Sequence, residues 1–291
     1  MIEVVRAGSL TTVQDLGRPG LAHLGIGRSG AADRDSLRLA NRLVGNREGA
    51  AGLEITLGGF AARFTRAGIV ALAGAPCRVR VSGRDGSMHG PVQVQPGDEL
   101  SVGVPARGVR TYLAVRGGID VPPVLGSRST DVLAGLGPEP LRPGMRLPVG
   151  TDAGELPDTD VAPVPAIPEE PVLRILLGPR DDWFTPAAVT ALTSTAYEVT
   201  THSNRVGIRL SGTPLERSVG GELPSEGTVC GALQVPADGQ PVLFLADHPV
   251  TGGYPVIAVV CEPDICHAAQ ARPGQRLRFR LMSTVGGFPR P

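Results

Sequence analysis

The sequence has no lysine. All 28 basic side chains among its 291 residues are arginine. That absence removes whole chemistries: a P-loop needs its lysine on the nucleotide phosphates, and pyridoxal enzymes and Schiff-base aldolases need a lysine amine as their covalent handle. Biotin and lipoate are also carried on lysine, so this chain is not its own swinging arm, and such a group would arrive on a partner. Cysteine is scarce as well. Four residues, Cys77, Cys230, Cys261 and Cys266, are too few for a disulfide framework and fit a reducing compartment. Neither sign of charge is in excess, because 28 acidic residues balance the 28 arginines, so no net field draws the chain toward nucleic acid or an anionic membrane. No run of about 18 apolar residues occurs, and the segment from Met1 to Arg6 lacks the basic and apolar regions of a leader peptide. A soluble, cytoplasmic protein is expected.

What is present is a loop-rich β sequence. Forty glycines and 28 prolines punctuate a chain that is 41% hydrophobic, enough for a packed core. Most apolar runs are short, alternating and bounded by Gly or Pro: 60–64, 69–72, 77–81, 109–115, 173–177, 242–246 and 256–260. Their spacing suggests sandwiches or closed barrels rather than a parallel doubly wound sheet. Two segments read as helices, Ala31 to Val44, with Ser29 or Asp33 as cap and Gly45 as stop, and a short one from Pro186 to Leu192. From 151 to 171 the pattern collapses into prolines and acids, which places a linker between an N-terminal domain, 1–150, and a C-terminal domain, 172–291. Three strings, 95–100, 142–147 and 272–277, centre on Pro-Gly, which suits a type II turn; they are either ordinary turns or the trace of an internal duplication of barrel halves.

Several motifs invite chemistry. Gly25-Ile-Gly-Arg-Ser-Gly30 matches the dinucleotide fingerprint, but without a preceding strand and βαβ alternation it reads as accidental, leaving at most an anion site at a helix N-terminus. Cys261, Cys266 and His267 are three possible metal ligands in seven residues with no companion pair, so no metal site is expected; a loop entering a short helix with buried thiols is the alternative. The five histidines are scattered, and no hydrolase string supports a Ser-His-Asp triad. Stretches 116–120, 126–131 and 202–212 carry more Arg, Ser, Asn and Asp than plain turns need, although turns satisfying their own backbone remain the alternative. The densest region runs from Ser225 to Pro255, where Gln234, Gln240, Asp247, Thr251 and Tyr254 are expected to converge at one barrel rim around a small polar substrate.

Taken in order, the strings Thr12–Gly20, Ser29-Gly-Ala-Ala-Asp33, Ala40–Gly45, Leu53-Glu54, Arg116–Gly118, Gly126–Asp131, Ser203-Asn-Arg205 and Thr251-Gly-Gly-Tyr-Pro255 resemble the biotin-dependent carboxyltransferase A/B family across nearly the whole chain. Its members include the C subunit of bacterial 5-oxoprolinase, the regulator KipA, allophanate hydrolase subunit 2 and the carboxyltransferase region of urea carboxylase. The resemblance implies a mainly β fold of two tandem cyclophilin-like β-barrels with few short helices. It also implies a partner of the B-subunit type (KipI-like, allophanate hydrolase subunit 1), a further partner of the A-subunit type, and a cleft lined by the Ser29–Asp33 and Ala40–Gly45 strings with the Gln234–Tyr254 region. The family usually has Met where Ala32 stands and Thr where Val250 stands.

Three activities follow from the resemblance. The first is that of one component of an ATP-dependent 5-oxoprolinase, in which the complex uses ATP with Mg. The second is carboxyl transfer from a partner's biotin to urea or another small amide. The third is a non-catalytic regulator that binds a kinase inhibitor. For the first, Arg205 or Arg128 is expected to clamp anions, Asn204, Gln234 and Gln240 to orient the amide, and Asp131 or Asp247 to move a proton. Ser129, Thr251 and Tyr254 are expected to contact substrate, and Ser29, Gly30 and Asp33 to bind cofactor.

Overall fold

The computed structural model describes residues 1–221 and 223–282. The chain divides into two units, Met1–Ile167 and Pro168–Pro291. As expected it is mainly β, with three α-helices among the described residues, none of them long and apolar enough to cross a membrane.

The first unit contains β1 (Ile2–Ala7), β2 (Leu10–Gln14), α1 (Arg34–Leu43), β3 (Gly52–Thr56), β4 (Phe60–Phe64), β5 (Gly68–Gly74), β6 (Val79–Val81), β7 (Arg84–Gly86), β8 (Pro91–Val94), β9 (Glu99–Val102), β10 (Arg110–Val115) and β11 (Arg146–Leu147). They pair into two sheets, β11-β1-β4-β9-β6-β7 and β2-β3-β10-β5-β8. Ile2, Phe60, Leu53, Leu72, Leu100 and Leu113 fill the core common to both, each fully buried. β10 is buried along its whole length because its faces have different neighbours. Leu113 and Val115 join that core, while Tyr112 and Ala114 meet Leu37, Ala40 and Leu43 of α1. The amphipathic spacing of those helix residues is what makes the second contact possible.

α1 starts later than the sequence suggests. Asp33 is its cap, accepting from Ser36 N at 3.0 Å and Ser36 Oγ at 2.6 Å, and Ser29 lies outside the helix with a left-handed φ of 52°. The Gly25–Gly30 match is accidental in this fold: β2 precedes it by ten residues and pairs antiparallel with β3, so no βαβ unit exists there. The Pro- and acid-rich stretch forms no regular structure, yet residues 151–167 belong to the first unit. Gly154 N donates to Gly45 O (2.7 Å), Arg116 Nη2 to Gly154 O (2.6 Å) and Ala162 N to His89 O (2.7 Å).

The second unit contains β12 (Val172–Leu177), α2 (Pro186–Ser194), β13 (Ala196–Val199), β14 (Gly207–Ser211), β15 (Glu226–Gly227), β16 (Ala232–Gln234), β17 (Val242–Phe244), β18 (Thr251–Gly252), β19 (Val256–Val260), α3 (Glu262–Ala269) and β20 (Arg276–Leu281). Seven strands close into a barrel in the order β12-β19-β16-β17-β14-β13-β20, sealed by parallel β12 and β20. Ile175, Tyr197, Leu233, Leu243, Ile257 and Phe279 fill it. The Pro-Gly strings are turns in both units: Gly97, Gly144 and Gly274 have φ near +81° to +88°, each with the closing bond from the residue after glycine to the residue before proline.

α3 holds the cysteine-rich stretch. Cys261, Cys266 and His267 assemble no metal site among the described residues, and the thiols are half-buried rather than buried. Between them Asp264 receives a fork from Arg174, Nη2 to Oδ1 at 2.7 Å and Nε to Oδ2 at 2.9 Å, plus Arg174 N at 2.7 Å. These bonds hold the Asp264 carboxyl below its ordinary value. A carboxyl depressed in the folded state contributes stability above its unfolded pKa and loses it as pH falls through the folded one. Asp264→Asn should therefore flatten the decline in urea midpoint between neutral pH and about pH 3, a range set by ordinary carboxyl titration; an unchanged acid limb would refute the assignment.

Candidate functional site

Two buried polar clusters stand out, one in each unit. In the second unit, strand register places the segments before β14 and β16 and after β17 at one end of the barrel. There Arg205 and Asp247, both essentially inaccessible, form a bidentate pair: Nε to Oδ2 and Nη2 to Oδ1, each 2.9 Å. Asp247 N also donates to Arg205 O at 3.1 Å, so two loops are clasped by side chain and backbone together. His248 follows, its ring stacked on Phe244 with centroids 5.8 Å apart. Its Nδ1 lies 2.8 Å from Pro249 O and 3.2 Å from Thr228 Oγ1. A carbonyl only accepts, so Nδ1 is the donor to Pro249 O.

The five residues expected at one rim are divided. Asp247 lies at the end just described, whereas Gln240 lies at the other, with Oε1 accepting from Gly212 N (2.9 Å) and Nε2 donating to Gly212 O (3.2 Å). Gln234 alternates with the core residues Leu233 and Val235 and so lies on the outer face of the barrel wall. Its Nε2 donates to Tyr254 O at 3.1 Å. Gly252 crosses so close that a Cβ there would sit 2.5 Å from Gln234 Nε2, which is why this stretch needs glycine. Thr251 and Tyr254 are exposed, and β18 pairs with β15 as a ribbon. Asn204 holds its own turn, Oδ1 accepting from Val206 N (2.8 Å) and Gly207 N (3.3 Å).

In the first unit the buried cluster surrounds the start of α1. Glu54 Oε2 accepts from Tyr112 OH (2.7 Å) and Ala32 N (3.0 Å), and its Oε1 is 3.3 Å from Arg110 Nε. Tyr112 OH in turn accepts from Asp33 N at 2.8 Å. Burial, then the Glu54 and Asp33 charges, push the phenol well above its usual value, so it stays protonated. Ser29 and Gly30 precede this network with left-handed backbones, and Ser29 Oγ donates to Thr130 O at 3.2 Å.

The 126–131 motif turns inward. Arg128 donates to Val121 O and Asp120 Oδ1, both at 2.7 Å, and buried Asp131 Oδ1 accepts from Leu133 N (3.0 Å) and Ala134 N (2.9 Å). The hub of this loop is Asp15, to which sequence reasoning gave no role. It gathers Gly17 N, Ser127 Oγ, Ser129 Oγ and Arg128 N within 2.5–2.7 Å. Nothing in the local sequence separates Asp15 from other turn carboxylates, because its distant donors, on Ser127, Arg128 and Ser129, come from more than a hundred residues away. The first unit also has a groove of about 610 Å³ over Phe64, Ile69 and Val94, beside Arg66 and Arg116, which none of the expected site residues line.

Residues 24–281 match the family described as carboxyltransferase domain, subdomain A and B. The chain is 40% identical to the 5-oxoprolinase C subunit of Escherichia coli K12 over 96% of its own length and 90% of that protein. It is 34% identical to urea amidolyase of Lachancea kluyveri, spanning 17% of that much longer chain. Among solved structures, TTHA0988 superposes with a TM-score of 0.88 at 37% identity, this chain covering 55% of it, and the K. lactis urea amidolyase with a TM-score of 0.89 at 31% identity, covering 19%. Matched over nearly all its length in both sequence and fold, the chain belongs to the carboxyltransferase domain family, subdomains A and B.

Proposed function

We propose that the chain is the C subunit of a cytoplasmic, ATP-dependent 5-oxoprolinase, acting with partners of the B-subunit and A-subunit types on 5-oxoproline. The observation that carries this reading is the end-to-end correspondence with the Escherichia coli C subunit, 96% of one chain against 90% of the other. An unstrained lactam resists water, so ATP is spent on activating it. The lactam oxygen attacks the γ-phosphorus, forming an O–P bond as the bond to ADP breaks. Water adds to the activated carbon, the C–N bond breaks as nitrogen takes a proton, and a second water releases phosphate and glutamate. In this reading the chain binds and orients the substrate. Arg205 and Asp247 fix the two loops at one barrel end, and Gln234 offers a fixed carboxamide. Asp131, Asn204 and Gln240 position loops, since their polar atoms bond to nearby backbone.

The correspondence with urea amidolyases, at 34% identity and a TM-score of 0.89, favours a second reading, carboxyl transfer from a partner's biotin to urea or a similar amide. The discriminating experiment is ATP-dependent glutamate release from 5-oxoproline by the chain and its co-encoded partners, each omitted in turn. Turnover requiring every component is expected. A stable complex without turnover would overturn the oxoprolinase reading in favour of carboxyl transfer or of a regulatory role.

A further inference from the structure

Four arginines of the second unit each hold a carboxylate: Arg174 that of Asp264, Arg180 that of Glu226, Arg205 that of Asp247 and Arg278 that of Glu170. Arg217 holds none among the described residues, and unlike Arg209, Arg276 and Arg280, which also hold none but are exposed, it is partly buried. Its backbone is fixed by a bridge to Phe184 and by Ser218 N donating to Trp183 O at 2.8 Å. Its half-buried guanidinium donates through Nη2 to the Val235 carbonyl, just past the end of β16. Nε is buried without a hydrogen-bond partner, Nη1 donates to nothing among the described residues, and no described carboxylate lies within ion-pair distance. Withdrawing a cation from water without a counter-charge is costly, and an arriving anion recovers that cost.

The surroundings supply a second group. Val235 N donates to Pro255 O at 3.1 Å, so the Arg217 guanidinium reaches the barrel wall where β16 meets the Thr251–Pro255 segment. One residue before Val235, Gln234 commits its Nε2 to Tyr254 O, and its Oε1 accepts no hydrogen bond among the described residues. Tyr254, 50% exposed, lies on the same segment. A cation lacking an anion thus holds the carbonyl of Val235, and an amide acceptor lacking a donor sits on the adjacent residue.

The geometry points to a carboxylate subsite at Arg217, where the guanidinium takes the carboxylate of a small amide substrate and Gln234 Oε1 accepts its amide N–H. The inference rests on the oxoprolinase reading and deepens it: 5-oxoproline carries both groups, whereas urea carries only the amide. A site built to pair a charged group discriminates strongly against a ligand lacking it.

The test uses the assembled complex. In Arg217→Gln, KM for 5-oxoproline should rise at least about 30-fold, the scale of losing one partner of a buried charged pair, with kcat within about threefold. Arg217→Lys, which keeps the charge but not the fork, should fall between. An unchanged KM, or a fall in kcat with KM intact, would overturn the subsite and leave Arg217 a support for Val235. Should the glutamine variant fail to fold, the lysine variant carries the test, and a wild-type KM there counts against the subsite. Calorimetry separates this inference from the reading beneath it. If the wild-type complex shows no turnover, binding of 5-oxoproline by wild type but not by the variants still supports the subsite, and equal or absent binding overturns it.

Discussion

Asp247→Ala should lower the unfolding free energy by about 3–5 kcal/mol, read from urea denaturation, the range found when one member of a buried ion pair is removed. The substitution takes a bidentate carboxylate from a guanidinium that is 1% exposed. It also strains the loops that the pair clasps, because Asp247 N and Leu245 N bond to the backbone of Arg205 and Val206. Desolvating both ions opposes their attraction, so a paired change to apolar residues of similar volume, Arg205→Met with Asp247→Leu, should recover most of the loss. On the functional reading that variant folds and assembles but releases no glutamate. Glutamate release at the wild-type rate by the folded double variant would reduce the pair to a structural clasp.

The pairing explains why this site was only half legible in the sequence. Arg205 and Asp247 both drew attention as polar residues flanking strands, but as separate agents, an anion clamp and a proton carrier. Their 42-residue separation hides the contact that the register of β14 on β17 creates. Strands were easier. Alternation and Gly or Pro boundaries located β4, β5, β10, β12, β17 and β19 to within a few residues, since period two follows from the pleat itself. Pro-Gly turns were legible for the same local reason. The rim expected to gather Gln234, Gln240 and Asp247 was not, because β16 and β17 are three residues each, and one step along so short a strand exchanges the inside of the barrel for the outside. Arg217 gave no signal at all. Its interest lies in a partly buried guanidinium that lacks a carboxylate, and that is visible only when the fold sets it against the Val235 carbonyl.

Glu54→Ala should cost a similar 3–5 kcal/mol in the first unit, with Tyr112→Phe costing about 1–3 kcal/mol. Glu54 is 1% exposed and ties three groups: the Tyr112 hydroxyl, Ala32 N and the Arg110 guanidinium. Tyr112→Phe leaves both Glu54 and the Asp33 amide without the hydroxyl between them. The two substitutions should be strongly non-additive, because they remove members of one network. They also act at a defined place. Ala32 and Asp33 immediately precede α1, and Asp33 caps it, so the loss should appear as faster amide hydrogen exchange at Ala32, Asp33 and the first turn. Strands β4 and β9, in the other sheet, should keep their protection. If exchange instead rose equally across both sheets, the network would be part of the general core, and the Ser29–Asp33 segment would not depend on Glu54 for its shape.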